Sequence, residues 1–149
     1  HGDDDYIWKY FDKKENGLIV EVGAFDGVHF SNSYSLENIG WKALCMEPTP
    51  SMYEKLIANR PKAKCFNLAV VGDENISQID FLSEELGLLS GVNIDVEDVR
   101  SRYKRRGLKF KEPAKIKVKA KTLNSIFGQF PLFSHLCPTI ICIWRTSTI

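Results

Sequence analysis

Two carboxylates and two glycines in the first third of the chain are the residues best placed to do chemistry. The run Val20-Glu21-Val22-Gly23-Ala24-Phe25-Asp26-Gly27 ends one apolar stretch, and Leu44-Cys45-Met46-Glu47-Pro48 ends the next. Glu47 stands twenty residues beyond Gly27. A βαβ unit with this pattern suits an adenosine-containing cofactor: glycines let the backbone approach the ligand, and the acid accepts hydrogen bonds from ribose hydroxyls. The spacing is Gly-x-x-x-Gly with Glu21 two residues ahead, not Gly-x-Gly-x-x-Gly. It argues against a dinucleotide with a buried pyrophosphate and towards S-adenosylmethionine, which has no phosphate to cradle.

Each of these residues has a plainer reading beside the functional one. Gly23 and Gly27 serve either cofactor approach or a bare tight turn. Glu47 is either the ribose ligand or an exposed loop acid. Glu21 lies at the end of a buried strand, where a carboxylate must be hydrogen-bonded; its partners are then the methionine end of a cofactor or nearby backbone amides. Asp26 bonds a cofactor or caps the following turn. Asn32 and Ser33 cap a helix, or face a ligand from its entrance. Ser90-Gly91 forms a small loop able to touch adenine. His29 and His135 are isolated and His1 is terminal, so no metal site is expected.

The elements needed to position these groups follow from hydrophobic periodicity and turn residues. Tyr6–Phe11 suits a short amphipathic helix with an acidic start at Asp3-Asp4-Asp5. Leu18–Val22 reads as a buried strand, Ser31–Ile39 as a helix, Trp41–Met46 as a second strand and Met52–Asn59 as a second long helix. Ala63–Val71 reads as one third strand. Alternating strands and helices in this order imply a parallel sheet with right-handed crossovers. Beyond it, Ser77–Leu82 reads as a strand, Gly87–Asn93 as a loop and Val96–Arg106 as a basic helix. Lys115–Lys121 alternates strictly, sending Ile116, Val118 and Ala120 to a core and the lysines to water. Thr122–Phe127 starts another helix, and Thr139–Trp144 is a further candidate strand.

Taken together, these segments resemble the FkbM-type family of S-adenosylmethionine-dependent methyltransferases. The matching pieces are Gly2-Asp3-Asp4 with Trp8 and Phe11, the Val20–Gly27 run, Phe30-Ser31-Asn32-Ser33 with Leu36-Glu37, and Gly40-Trp41-Lys42. Glu47-Pro48, Asn67-Leu68-Ala69-Val70 and Thr122-Leu123-Asn124 complete them. They span about residues 2–126, Glu21 to Pro48 being the specific part. The resemblance implies an α/β, Rossmann-like methyltransferase fold of three layers and methyl transfer to a hydroxyl on a sugar or small molecule. It implies S-adenosylmethionine as cofactor, and adds Ala24, Pro48 and Ala69 to the cofactor-binding set.

The family pattern continues past the Thr-Leu-Asn helix into a central strand ending in an Asp-x-Glu-Gly motif, which residues 133–149 do not contain. Ile94-Asp95-Val96-Glu97-Asp98 is similar but precedes the Lys115–Lys121 strand, the wrong order for a fixed topology. Residues 1–127 therefore read as the cofactor-binding part, and residues 128–149 as a divergent or truncated tail. Thr139–Trp144 is the one tail segment apolar enough to flank the first strand, and is expected either to fill that place poorly or to leave an exposed strand edge that invites self-association. No general base is marked by a motif. A non-catalytic fragment or pseudoenzyme acting as a binding module is the alternative to an active enzyme.

The 149 residues allow one domain with a real core. Four cysteines without Cys-x-x-Cys spacing and the absence of a signal-like segment read as reduced thiols in a cytoplasmic protein. No apolar stretch approaches the roughly 20 residues of a membrane span. The net charge of +1 hides an asymmetry: residues 1–99 hold 8 Lys and Arg against 18 Asp and Glu, whereas residues 100–121 hold 11 against Glu112 alone. Arg100 to Lys121 reads chiefly as a solvated face offsetting the acidic part. Nucleic acid is the alternative partner, though only Tyr103 and Phe110 interleave as aromatics.

Overall fold

A computed structural model describes residues 3–83, 90–92, 94–129 and 140–144. Its elements are α1 (Asp3–Tyr10), β1 (Leu18–Val22), α2 (Tyr34–Asn38), β2 (Lys42–Met46), α3 (Pro50–Asn59) and β3 (Lys64–Phe66). β4 (Ala69–Val70), β5 (Gln78–Ser83), α4 (Val96–Arg105), β6 (Ala114–Lys121), α5 (Leu123–Phe127) and β7 (Ile140–Trp144) follow. The protein is α/β, with a parallel sheet in the order β3-β2-β1-β7 and a second, mixed sheet in the order β4-β6-β5.

β1 forms where the sequence offers the continuous apolar run that a strand covered on both faces requires. Its alternation is visible in the packing. Ile19 joins Ala43, Cys45, Leu36, Trp41 and Leu56 in one cluster, against Ile7, Trp8 and Phe11 of the N-terminal segment and Tyr53 of α3. Leu18 and Val20 join Leu44, Met46, Leu68 and Ile126 in another, with Leu123 and Phe127 of α5 packed against it. Helices thus cover both faces of the parallel sheet.

Three sequence expectations change. The helix expected over Ser31–Ile39 shortens to α2, because the hydroxyls of Ser31 and Ser33 are drawn to the Glu21 carboxylate and the chain between them stays irregular. The single strand expected over Ala63–Val71 is two strands in two sheets. β3 runs parallel to β2, whereas β4 leaves to pair with β6. The break falls at Asn67, whose side-chain amide donates to the backbone oxygens of Glu47 and Pro48 at 2.8 and 3.1 Å and so turns the chain away from the ladder. Finally, β7 does not fill its place poorly. It pairs in parallel with every residue of β1, from Leu18↔Ile140 to Val22↔Trp144. The expected loop over Gly87–Asn93 is described only at Ser90–Val92, and most of the tail lies outside the described residues.

The antiparallel β5–β6 pair realises the lysine alternation. Val118 and Ala120 are buried, Lys115, Lys117, Lys119 and Lys121 are exposed, and Phe81 and Ala69 complete a third cluster with Val118. Thr122 caps α5 by accepting from the Ser125 amide, and Asp95 caps α4 by accepting from the amides of Glu97 and Asp98.

Candidate functional site

The carboxyl ends of β1 and β2 open into a cleft of about 450 Å³, closed on its far side by the second sheet. In parallel sheets this is where ligands bind, beside the point at which strand order reverses. Here the chain steps from β1 outwards to β3 and returns with β7 on the other side of β1. Val22 and Gly23 supply one wall, Glu47 and Pro48 another, and Leu68–Gly72 the segment between the two sheets. Ile76, Ile79, Phe81 and Val92 make the far side apolar.

Glu47 is the polar centre of this cleft and is 6% exposed. Its carboxylate accepts from the Phe25 amide at 2.8 Å and from the Thr49 amide at 2.8 Å, while its own amide bonds the Phe66 carbonyl. The glycine turn is built against the end of β2, with the amides of Gly23 and Ala24 both donating to the Met46 carbonyl. Gly23 has φ of 79°, which glycine alone adopts without penalty. Ser90 reaches the cleft because Gly91 exchanges two backbone hydrogen bonds with Leu82 of β5.

Of the sequence candidates, Gly23, Glu47, Pro48, Ala69 and Ser90 line the cleft together. Glu21, Ala24, Asp26, Gly27, Asn32 and Ser33 are not among its lining residues. Glu21 shares the Ile19 side of β1 and turns towards the helices: it accepts from the hydroxyls of Ser31 (2.8 Å) and Ser33 (2.5 Å) and from the Asn32 amide (2.9 Å). Asp26 ties down its own turn, accepting from the amides of Val28 and His29 at 3.0 and 2.8 Å and pairing with the His29 ring. Burial pushes its carboxyl up, but the His29 ring and those amides outweigh it and hold the pKa below the ordinary value.

Sequence reasoning missed Arg60, the largest fully buried side chain among the described residues. It pairs with Glu37 and donates to the Gly27 carbonyl and to the hydroxyls of Ser31 and Ser33. The available signal was its position just past α3, where it would face back onto the glycine loop, but nothing local distinguished it from a solvated arginine. Cys45 and Cys65 are free thiols in register on β2 and β3. The hydrogen bond with Cys65 and then burial push the Cys45 thiol well up, which suits a core residue rather than a nucleophile.

Four cations of the basic segment are paired with acids. Arg100 bridges Glu97 and Glu112, Arg102 bridges Asp98, and Lys115 and Lys117 both reach Asp80. Among the described residues there is no group of three or more His, Cys, Asp or Glu able to hold a metal, and no helix long and apolar enough to cross a membrane. Set against known proteins, the chain matches no family model, no curated protein and no solved structure.

Proposed function

We propose that the cleft binds the adenosine part of S-adenosylmethionine and that the protein belongs to the methyltransferases its motifs resemble, with a Rossmann-like core. The observation that carries this reading is Glu47, a buried carboxylate held by two backbone amides at the end of β2, beside an otherwise apolar cleft. A carboxylate offers about four acceptor positions, and the two amides orient it for the vicinal hydroxyls of a ribose. The apolar side chains on the far side suit a flat heteroaromatic base, and a volume of about 450 Å³ is in the range of small-molecule sites. Gly23 keeps the turn free of a side chain where the ligand would pass.

When bound, the cofactor supplies an electrophilic methyl group on a sulfonium. The protein's part is to align a hydroxyl of a sugar or small-molecule acceptor with it, and alignment supplies much of the rate. Among the described lining residues Glu47 is the one titratable side chain, and it is committed to Phe25 and Thr49. That commitment favours a second reading, a binding module that holds the nucleoside without transferring the methyl group.

Calorimetry with S-adenosylhomocysteine tests the site. Binding is expected, and Glu47→Ala should weaken it by about 1–3 kcal/mol, the cost of unpaired donors. Tight NAD binding without S-adenosylhomocysteine binding overturns the assignment. Transfer of labelled methyl to a panel of hydroxylated acceptors separates the enzyme from the binding module.

A further inference from the structure

We propose that Arg60 is a positioning residue for the cleft, setting the conformation of the loop over residues 23–33 and, through Phe25, the orientation of Glu47. The ligand part of the proposal rests on reading the cleft as a nucleoside site; the loop part does not.

The loop holds an unfavourable backbone. Phe25 and Phe30 have φ of 56° and 59°, and Gly27 has 81°. Left-handed aromatic residues persist only where their surroundings over-determine them. Arg60 supplies part of that determination from behind, beside Asp26 and Asn59. It is 2% exposed, with Nη1 donating to the Gly27 carbonyl at 2.9 Å and to Ser31 Oγ at 3.3 Å, and Nη2 to Ser33 Oγ at 3.1 Å. Its Nε pairs with Glu37 of α2. The same two serine hydroxyls donate onward to Glu21, so a guanidinium and a carboxylate grip the end of the loop between them. The loop also lies directly on the arginine stem: a Cβ added at Gly27 would meet Arg60 Cγ at 2.7 Å. At its other end the loop presents Gly23 and Phe25 to the cleft, where the Phe25 amide bonds Glu47.

Lysine keeps the positive charge but is a single point of donors, and cannot serve Glu37, Gly27 and both serines in their separate directions. The test therefore compares Arg60→Lys and Ser31→Ala with the wild-type protein. The thermal midpoint establishes that each variant folds, and two quantities are then compared: amide hydrogen exchange along the chain and S-adenosylhomocysteine affinity. In Arg60→Lys, exchange at amides of residues 25–32 should rise about tenfold or more while the β5–β6 pair keeps its protection, and the Kd should rise about tenfold. Ser31→Ala should move both in the same direction by about threefold. Loop protection and Kd within about twofold of wild type in a folded variant overturn the proposal, as does a uniform rise in exchange that includes the β5–β6 pair. If Arg60→Lys does not fold, Ser31→Ala decides by the same criteria. A wild-type protein without S-adenosylhomocysteine affinity sinks the nucleoside reading alone, and the exchange pattern still decides whether Arg60 sets the loop.

Discussion

Asp26 and Glu21 show what a side chain in a glycine loop does when the loop itself must be held. Asp26 uses both carboxylate oxygens on residues 28 and 29, so it serves the turn before it can serve a ligand. Because its pKa is lowered in the fold, its stabilising contribution is complete above the ordinary carboxylate value of 3.8 and is lost as pH falls through the lowered one. Acid titration below the ordinary value of 3.8 should therefore destabilise the wild-type protein more than Asp26→Asn, by fluorescence or circular dichroism. Equal acid sensitivity of the two would remove Asp26 from the account. Glu21 was legible as a buried acid needing partners, but not as one turned away from the cleft: it lies with Ile19 on the face of β1 packed against α1, α2 and α3. What the sequence hid was Arg60. Its partners come from residues 27–37, and burial created by a distant loop leaves no local periodicity.

At the level of elements, periodicity was readable wherever one face meets water. β6 alternates because its lysines are solvated and its Val118 and Ala120 are not. Ala63–Val71 carried no such contrast, so two strands of different sheets merged into one apolar run. The physical break is Asn67, a poor strand residue whose amide satisfies two backbone oxygens beyond β2. Asn67→Ala leaves those oxygens short of a donor and loosens the segment that carries Glu47 and Pro48 into the cleft. A loss of about 1–3 kcal/mol in denaturant stability is expected, together with weaker nucleoside binding by calorimetry. Unchanged stability would mean that the crossing between sheets is held elsewhere.

For the whole molecule, the parallel sheet depends on a strand contributed from the far end of the sequence. β7 covers the edge of β1 along its full length, although the composition of the surrounding tail gave little reason to expect it. Strand pairing that bridges more than a hundred residues cannot be seen in local pattern; only the apolar run at Thr139–Trp144 pointed to it. Leu18 and Val20 belong to the central core, so the partner of their strand matters to the fold as a whole. A chain ending at Gln129 would expose the backbone donors and acceptors of β1 beside fully buried apolar residues, an edge that recruits another strand. Such a chain should unfold at lower denaturant than the 149-residue protein and should elute as dimers or larger species in size-exclusion chromatography with light scattering. If it stays monomeric with the same midpoint, the β1–β7 pairing contributes little, and the cleft would then rest on β1, β2 and the second sheet alone.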